Sequence, residues 1–322
     1  MHPKILLVPA LLAAAALTLA GCTATAPGGA TAKLKVVATT TQVADFTRNV
    51  VGDTAGVTLT QLIQPNQSAH SFDPSAAALT ALGRADVLVV NGVGLEAWLS
   101  DAIAASGFHG TTISADTGIT VLKAAIGADT SAAGNPHIWT DVRNAEAMVK
   151  TIATGLGGAD PADAAAFEAN SAAYTGKLAE LDGWIRSNVN AVPAGQRLLV
   201  SNHDALGYFT AAYDITYVGS VIPSFDDNAE PSAAEIDALV AKIKATGVKA
   251  VFSEASLSPK TAKTIASEAG VTVYSGADAL YVDSLGPAGS AGATYIAAQL
   301  HNVTLILESW GATPGAIPAD LQ

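Results

Sequence analysis

The chain has one cysteine, Cys22, so no disulfide can form within it. Aromatic residues make up only 6% of the sequence, which works against a site that stacks rings on a sugar or another organic ligand. Basic residues are scarce: 16 Lys and Arg stand against 28 Asp and Glu, a formal charge of −12. With no basic stripe to neutralise phosphates, nucleic acid is excluded as a partner. Local catalytic motifs are missing as well. Neither His-Glu-x-x-His nor Gly-x-Ser-x-Gly occurs, so hydrolase chemistry has no signature and the chain reads as a non-enzyme. The one long apolar run, Ile5 to Ala20, is too short and too rich in alanine for a membrane span.

That run follows Lys4 and ends in Leu19-Ala20-Gly21-Cys22. It reads as a secretory signal over residues 1–21, to be set aside in fold reasoning. The small residues before Cys22 resemble the lipobox of bacterial lipoproteins, where the cysteine is lipidated and becomes the new N-terminus. A diacyl group on Cys22 would anchor the protein to the bacterial cell membrane from outside the cytoplasm without spanning it. Residues 22–33, rich in Gly, Ala and Thr, form the tether.

Beyond the tether, short apolar runs alternate with longer Ala-rich stretches. Lys35 to Thr39, Val57 to Ile63, Asp86 to Asn91 and Thr111 to Ser114 read as strands. Helices are expected at Thr41 to Val51, Pro74 to Gly83 and Glu96 to Ser106. Unbroken apolar strands interleaved with helices predict a parallel α/β sheet. Pro161 to Val189 breaks the rhythm: Phe167, Tyr174, Leu178, Leu181 and Ile185 recur at helical spacing with no strand signal. Such a helix would span roughly 43 Å at about 1.5 Å per residue. Alternation then resumes, with Ser232 and Glu235 forming a capping-box signature and a last helix near Gly292 to Glu308. The expected organisation is an α/β lobe over 34–158, a connecting helix over 159–192 and a second α/β lobe over 193–322. A ligand belongs in the cleft between the lobes, at the carboxyl ends of the strands.

There are six histidines. His2 leaves with the signal, while His109 and His301 read as surface or structural. His70, His137 and His203 each fall in a loop signal next to a strand-like run, where imidazoles from distant sequence can converge on a metal. Their spacing forms no local motif, so spacing alone is not diagnostic.

The words around them carry more. Gln64-Pro65 leads to His70 and Phe72-Asp73-Pro74; Asn135 to Asp141 surrounds His137; Ser201 to Phe209 surrounds His203. Glu230-Pro231-Ser232, Val251 to Glu254, Ser258-Pro259-Lys260 and Tyr281 to Gly286 follow in order. In these words the chain resembles the cluster A-I solute-binding proteins of zinc and manganese ABC transporters. The resemblance implies two α/β lobes joined by a long rigid helix with the metal site in the cleft. It implies His70 and His137 as metal ligands from the first lobe, and His203 and Asp283 from the second. Asp278 is the rival to Asp283. Asp141, Asp204 and Glu254 are candidates for orienting the imidazoles from behind. Asp73-Pro74 reads as a helix start.

The resemblance favours Zn2+, because His203 replaces the Glu that manganese-type relatives tend to carry and imidazole nitrogens suit zinc. Mn2+ is the alternative, and Val121 to Gly134 lacks the His-rich loop of many zinc importers. The implied partners are a cognate ABC permease, the divalent ion, the membrane through the lipid anchor, and a metallochaperone. A surface adhesin with a metal site is the competing class, but no repeat or stalk supports it. A stiff connecting helix predicts modest lobe motion, with the loops near His70 and from Pro223 to Ala229 ordering around the metal.

Overall fold

The computed structural model describes residues 34–123 and 134–322. The signal peptide, Cys22, the tether and residues 124–133 of the histidine-free loop lie outside the described residues.

The first lobe is built on one parallel sheet. Strands β1 (Leu34–Ala38), β2 (Val57–Gln61), β3 (Val87–Val90) and β4 (Thr111–Ser114) lie in the order β2-β1-β3-β4. β3 is buried along its whole length, which explains its unbroken run of Val and Leu. Helices α1 (Thr41–Val51), α2 (Ala76–Gly83) and α3 (Leu99–Ser106) connect the strands. The Thr40 hydroxyl caps α1 by accepting from the Val43 amide at 3.1 Å, and Ser75 caps α2 in the same way. That cap moves the start of α2 from the expected Pro74 to Ala76, so Asp73-Pro74 lies ahead of the helix.

Two helices follow. α4 (Val142–Ala159) has no counterpart in the sequence reading. Its buried face of Ala145, Met148, Val149, Ile152 and Leu156 packs on the first sheet and on α5 (Ala164–Asn190). α5 has 27 residues, about 40 Å at the usual rise. Its stripe of Phe167, Leu178, Leu181 and Ile185 is fully buried, each side chain contributing about 1.5–3 kcal/mol of hydrophobic stabilisation. Near its start, Asn170 Nδ2 donates to Val50 O of α1 at 3.0 Å; near its end, the Arg186 guanidinium donates to Ala212 O at 2.9 Å.

The second lobe holds two parallel pairs, β5 (Leu198–His203) with β6 (Thr216–Ile222) and β7 (Ala250–Phe252) with β8 (Thr272–Tyr274), and β5 runs beside β7. Helices α6 (Gly207–Ala212), α7 (Ala233–Thr246), α8 (Lys260–Ala269) and α9 (Tyr295–Ser309) complete it. The capping box opens α7 as expected: the Ser232 amide donates to Glu235 Oε2 at 2.7 Å and the Glu235 amide to Ser232 Oγ at 3.3 Å. One buried apolar cluster runs from Val36 through Leu178 of α5 to Phe252 and Val303. A core shared in this way resists wide separation of the lobes. Among the described residues, no helix is long and apolar enough to cross a membrane.

Candidate metal centre

Four side chains from four loops or strand ends meet in the cleft. His70 follows β2 in a turn opened by Asn66, whose φ of 64° is a left-handed conformation that Asn tolerates. His137 lies just before α4, held by the Asn135-Pro136 turn. His203 is the last residue of β5. Asp283 sits between β8 and α9 in a loop where Tyr281 packs so tightly on Gly292 that a Cβ there would run into its ring.

The geometry is close. His70 Nε2 is 3.3 Å from His137 Nε2 and 3.2 Å from Asp283 Oδ2. His203 Nε2 is 3.2 Å from His137 Nε2 and 3.1 Å from Asp283 Oδ2, while His137 Nε2 is 3.4 Å from Asp283 Oδ1. One donor atom from each residue lies within 4.8 Å of all the others. His137 and His203 are wholly buried and Asp283 nearly so; His70 keeps 9% of its side chain exposed and is the one donor open to solvent.

Acceptors behind two of the rings fix which nitrogen faces inward. Asn135 Oδ1 accepts from His137 Nδ1 at 2.8 Å and from the His137 backbone amide at 3.0 Å. Glu254 Oε1 accepts from His203 Nδ1 at 2.6 Å and from its amide at 3.2 Å. With each Nδ1 donating backwards, each Nε2 offers its lone pair to the centre. Asp283 Oδ1, buried with no hydrogen-bond partner, faces the same point. Lone pairs crowded at hydrogen-bond distance repel one another unless a cation or protons sit among them.

The electrostatics agree. Burial drives the His137 pKa down to about 4 despite Asp283 nearby. Burial also works to lower His203, but the charges of Asp283 and Glu254 overcome it and hold that imidazole well above its ordinary value. His70 is raised more modestly: burial opposes it, and the hydrogen bond and charge of Asp283 prevail. Burial pushes Asp283 upward, yet His203 and His137 outweigh it and keep the carboxyl well below the usual carboxylate range.

The other expected residues are placed as follows. Of the three candidate orienting acceptors, Glu254 touches an imidazole. Asp141 is committed elsewhere: it caps α4 by accepting from the Arg143 amide at 2.9 Å and pairs with the Arg143 guanidinium at 2.8 Å. Asp204 donates its amide to Ser224 O at 3.1 Å, and its carboxylate faces Tyr217, whose hydroxyl burial and that charge raise. Asn135 is the orienting residue the sequence reading missed; an Asn two residues before a loop His was its signal. Asp278 is exposed and outside the group, and His109 is exposed. His301 Nε2 donates to Ala279 O at 3.0 Å and serves structure. The two loops expected to order together touch: Ser68 Oγ donates to Asp227 Oδ1 at 2.8 Å and Ser71 Oγ to Asn228 Oδ1 at 3.2 Å.

Comparison with known proteins extends over most of the chain. The family profile of ZnuA, the periplasmic zinc-uptake complex component A, matches residues 36–309. The manganese-binding lipoprotein MntA of Halalkalibacterium halodurans is 31% identical over 271 residues, covering 84% of this chain and 86% of its own. The iron ABC transporter substrate-binding lipoprotein MtsA of Streptococcus pyogenes is 28% identical over 282 residues, covering 86% of this chain and 88% of its own. The structure of the periplasmic zinc-binding protein TroA from Treponema pallidum superimposes with a TM-score of 0.78 at 26% identity, covering 86% of this chain and 99% of that one.

Proposed function

The chain belongs to the ZnuA family of periplasmic zinc-uptake components, and from that membership we propose that it captures one divalent transition-metal ion outside the cytoplasm and delivers it to an ABC importer. His70, His137, His203 and Asp283 hold the ion. Glu254 and Asn135 orient His203 and His137 from behind. Cys22 carries the lipid that keeps the protein at the membrane, beside the permease; a metallochaperone is a candidate donor of the metal.

The observation that carries this reading is the spacing of the donors. Metal–nitrogen bonds of about 2.0–2.1 Å in a tetrahedron place neighbouring donors about 3.3–3.4 Å apart. Five of the donor contacts, at 3.1–3.4 Å, lie at or slightly inside that edge length, and one donor atom from each residue stays within 4.8 Å of the rest. Four protein donors close the coordination sphere, whereas a catalytic zinc keeps a position open for water. Three imidazoles and one carboxylate leave the bound ion a net charge of about +1, and a nitrogen-rich set favours zinc.

One feature favours manganese. Asp283 turns both carboxylate oxygens to the centre, Oδ2 toward His70 and His203 and Oδ1 toward His137, so bidentate binding can add the oxygen that manganese prefers. MntA and TroA, both similar to this chain, bind different metals, so overall likeness does not choose between them.

Metal content and competition on the purified chain test the proposal. One tightly bound zinc per chain, not displaced by equimolar manganese, supports zinc capture. Equal competition by manganese assigns the protein to manganese. No tightly bound metal overturns the reading.

A further inference from the structure

Asp283 reaches the cleft from the second lobe, but its neighbours change allegiance around it. Before it, the chain is tied to the second lobe. The Leu280 amide donates to Ser253 O and the Ala255 amide to Leu280 O, each at 2.9 Å. Asn302 of α9 clamps both backbone groups of Tyr281 at 2.8 Å. From Val282 to Leu285 the backbone and the Ser284 hydroxyl bond across to the first lobe, while the Asp283 carboxylate also meets His203 of the second. Val282 O accepts from Gln42 Nε2 at 2.8 Å and from Trp139 Nε1 at 3.0 Å. The Leu285 amide donates to Thr41 Oγ1 at 2.8 Å, and Ser284 Oγ accepts from the Asn66 amide at 2.8 Å.

These anchors are linked to one another. Thr41 Oγ1 donates to Gln42 Oε1 at 2.9 Å, which turns the Gln42 amide nitrogen toward Val282. Thr41 and Gln42 form the first turn of α1; Trp139 lies two residues beyond His137; Asn66 opens the turn that carries His70. Thr41, Gln42, Trp139 and Asp283 are all at most 3% exposed. In such a place, Thr41→Val leaves the Leu285 amide without its acceptor, and loss of Gln42 or Trp139 leaves Val282 O with one donor in place of two.

We infer that Asp283 belongs mechanically to the first lobe: Thr41, Gln42 and Trp139 are positioning residues that hold its carboxylate against His70 and His137. The inference rests on the metal-binding reading above. Three of the four donors then form one preassembled half-site. His203, carried on β5 and backed by Glu254 beside β7, is the single donor whose approach closes it. Loading and release need only the advance and withdrawal of His203, a motion small enough for two lobes that share a core.

A mutant cycle on the full chain, with zinc affinity read by chelator competition, tests this. Thr41→Val, Gln42→Glu and Trp139→Phe are each placed in the wild-type, His203→Ala and Asp283→Ala backgrounds. The expected result is a loss of about 10–100-fold in the wild type, the range for residues that orient a metal ligand. The same further loss is expected beside His203→Ala, and none beside Asp283→Ala. Equal losses in all three backgrounds mean general damage and overturn the inference, as does no loss anywhere. A wild type that binds no zinc shows instead that the metal-binding reading has failed, and the inference with it. Where a background binds too weakly to measure, hydrogen exchange in the metal-free protein decides. Thr41→Val and Gln42→Glu should speed exchange at the Leu285 amide and leave Leu280 protected. Loss of protection at both amides, or at neither, overturns the inference.

Discussion

His137 and His203 are the same residue in the same cleft, both wholly buried, with Nε2 atoms 3.2 Å apart. Yet one is driven down to about pKa 4 and the other is held well above its ordinary value. Burial acts downward on both, and both face Asp283. What separates them is the Glu254 charge behind His203, together with the charges of His203 and His70 that push His137 further down. Asn135 gives His137 a neutral amide oxygen; Glu254 gives His203 a carboxylate. The amide fixes a tautomer and leaves a lone pair ready. The carboxylate fixes the same tautomer of the neutral ring but adds charge that favours its protonated form, so on the metal-binding reading an arriving cation would compete with a proton at His203. On the metal-binding reading, one side of the cleft would act as a preformed ligand and the other would exchange a proton for a metal.

The harshest way to break this contrast is to remove the anion both rings share. Asp283→Ala takes away a donor and the charge that raises His203 and His70. Zinc affinity should fall by more than the roughly 10–100-fold typical of orienting residues. His203→Ala should fall comparably. Chelator competition measures both, and an affinity within tenfold of wild type for either variant would remove that residue from the site.

Next in size is Glu254→Gln, which makes the two sides alike by giving His203 an amide backing too. Zinc affinity at neutral pH should drop by about 10–100-fold. Its pH dependence should also flatten, because His203 loses one of the two charges that keep it protonated. In the wild type, affinity should fall as pH falls, by about tenfold per pH unit for each proton displaced from His203 or His70. A variant with the slope of the wild type would show that Glu254 acts by shape alone.

Much of this was legible in the sequence. β3 announced itself as an unbroken apolar run, and Ser232 with Glu235 marked the start of α7, because caps and buried strands are local signals. The four cleft residues were legible only through the words around them, since convergence of distant loops leaves no spacing rule. Two things escaped. α4 carries an apolar face at helical spacing, but alanines and glycines dilute it, and Asp141, its cap, stands in the sequence as a candidate for orienting an imidazole. Asn135 escaped because orienting acceptors were sought among carboxylates, although an amide oxygen does the same work. The turn of allegiance at Val282 could not be read at all, because its bonds join residues more than a hundred positions apart.

Asn135→Asp sharpens the comparison from the other side, with a smaller effect on affinity. A carboxylate behind His137 should raise its pKa and add a proton to displace, steepening the pH dependence while affinity at pH 8 stays within about tenfold of wild type. The metal-free protein gives an independent reading. In the wild type, a His137 value of about 4 lies below the unfolded value of about 6.5, so the unfolded chain binds the extra proton between them. His137 therefore costs stability as pH falls through that window. His203, raised, contributes stability that is full below about 6.5 and is lost as pH rises through its folded value. Thermal melts of metal-free Asn135→Asp between pH 4 and 6.5 should show a weaker loss on acidification than the wild type. An unchanged profile would mean that a carboxylate behind the ring does not offset the burial that keeps His137 neutral.

The smallest expected effect concerns the exposed edge of the same cleft. His70 is the donor nearest solvent, and Ser68, two residues before it, bonds Asp227 across the opening. A single hydrogen bond at a partly exposed site is worth about 0.5–1.5 kcal/mol net, so Ser68→Ala should speed zinc release by roughly 2–12-fold if the loop must part to let the ion out. Stopped-flow release into excess chelator measures this. Because Ser68 touches no metal donor side chain, the variant should leave the pH slope of affinity unaltered. A changed slope with an unchanged release rate would place Ser68 in the proton balance of His70, through Asp227, and remove it from the opening.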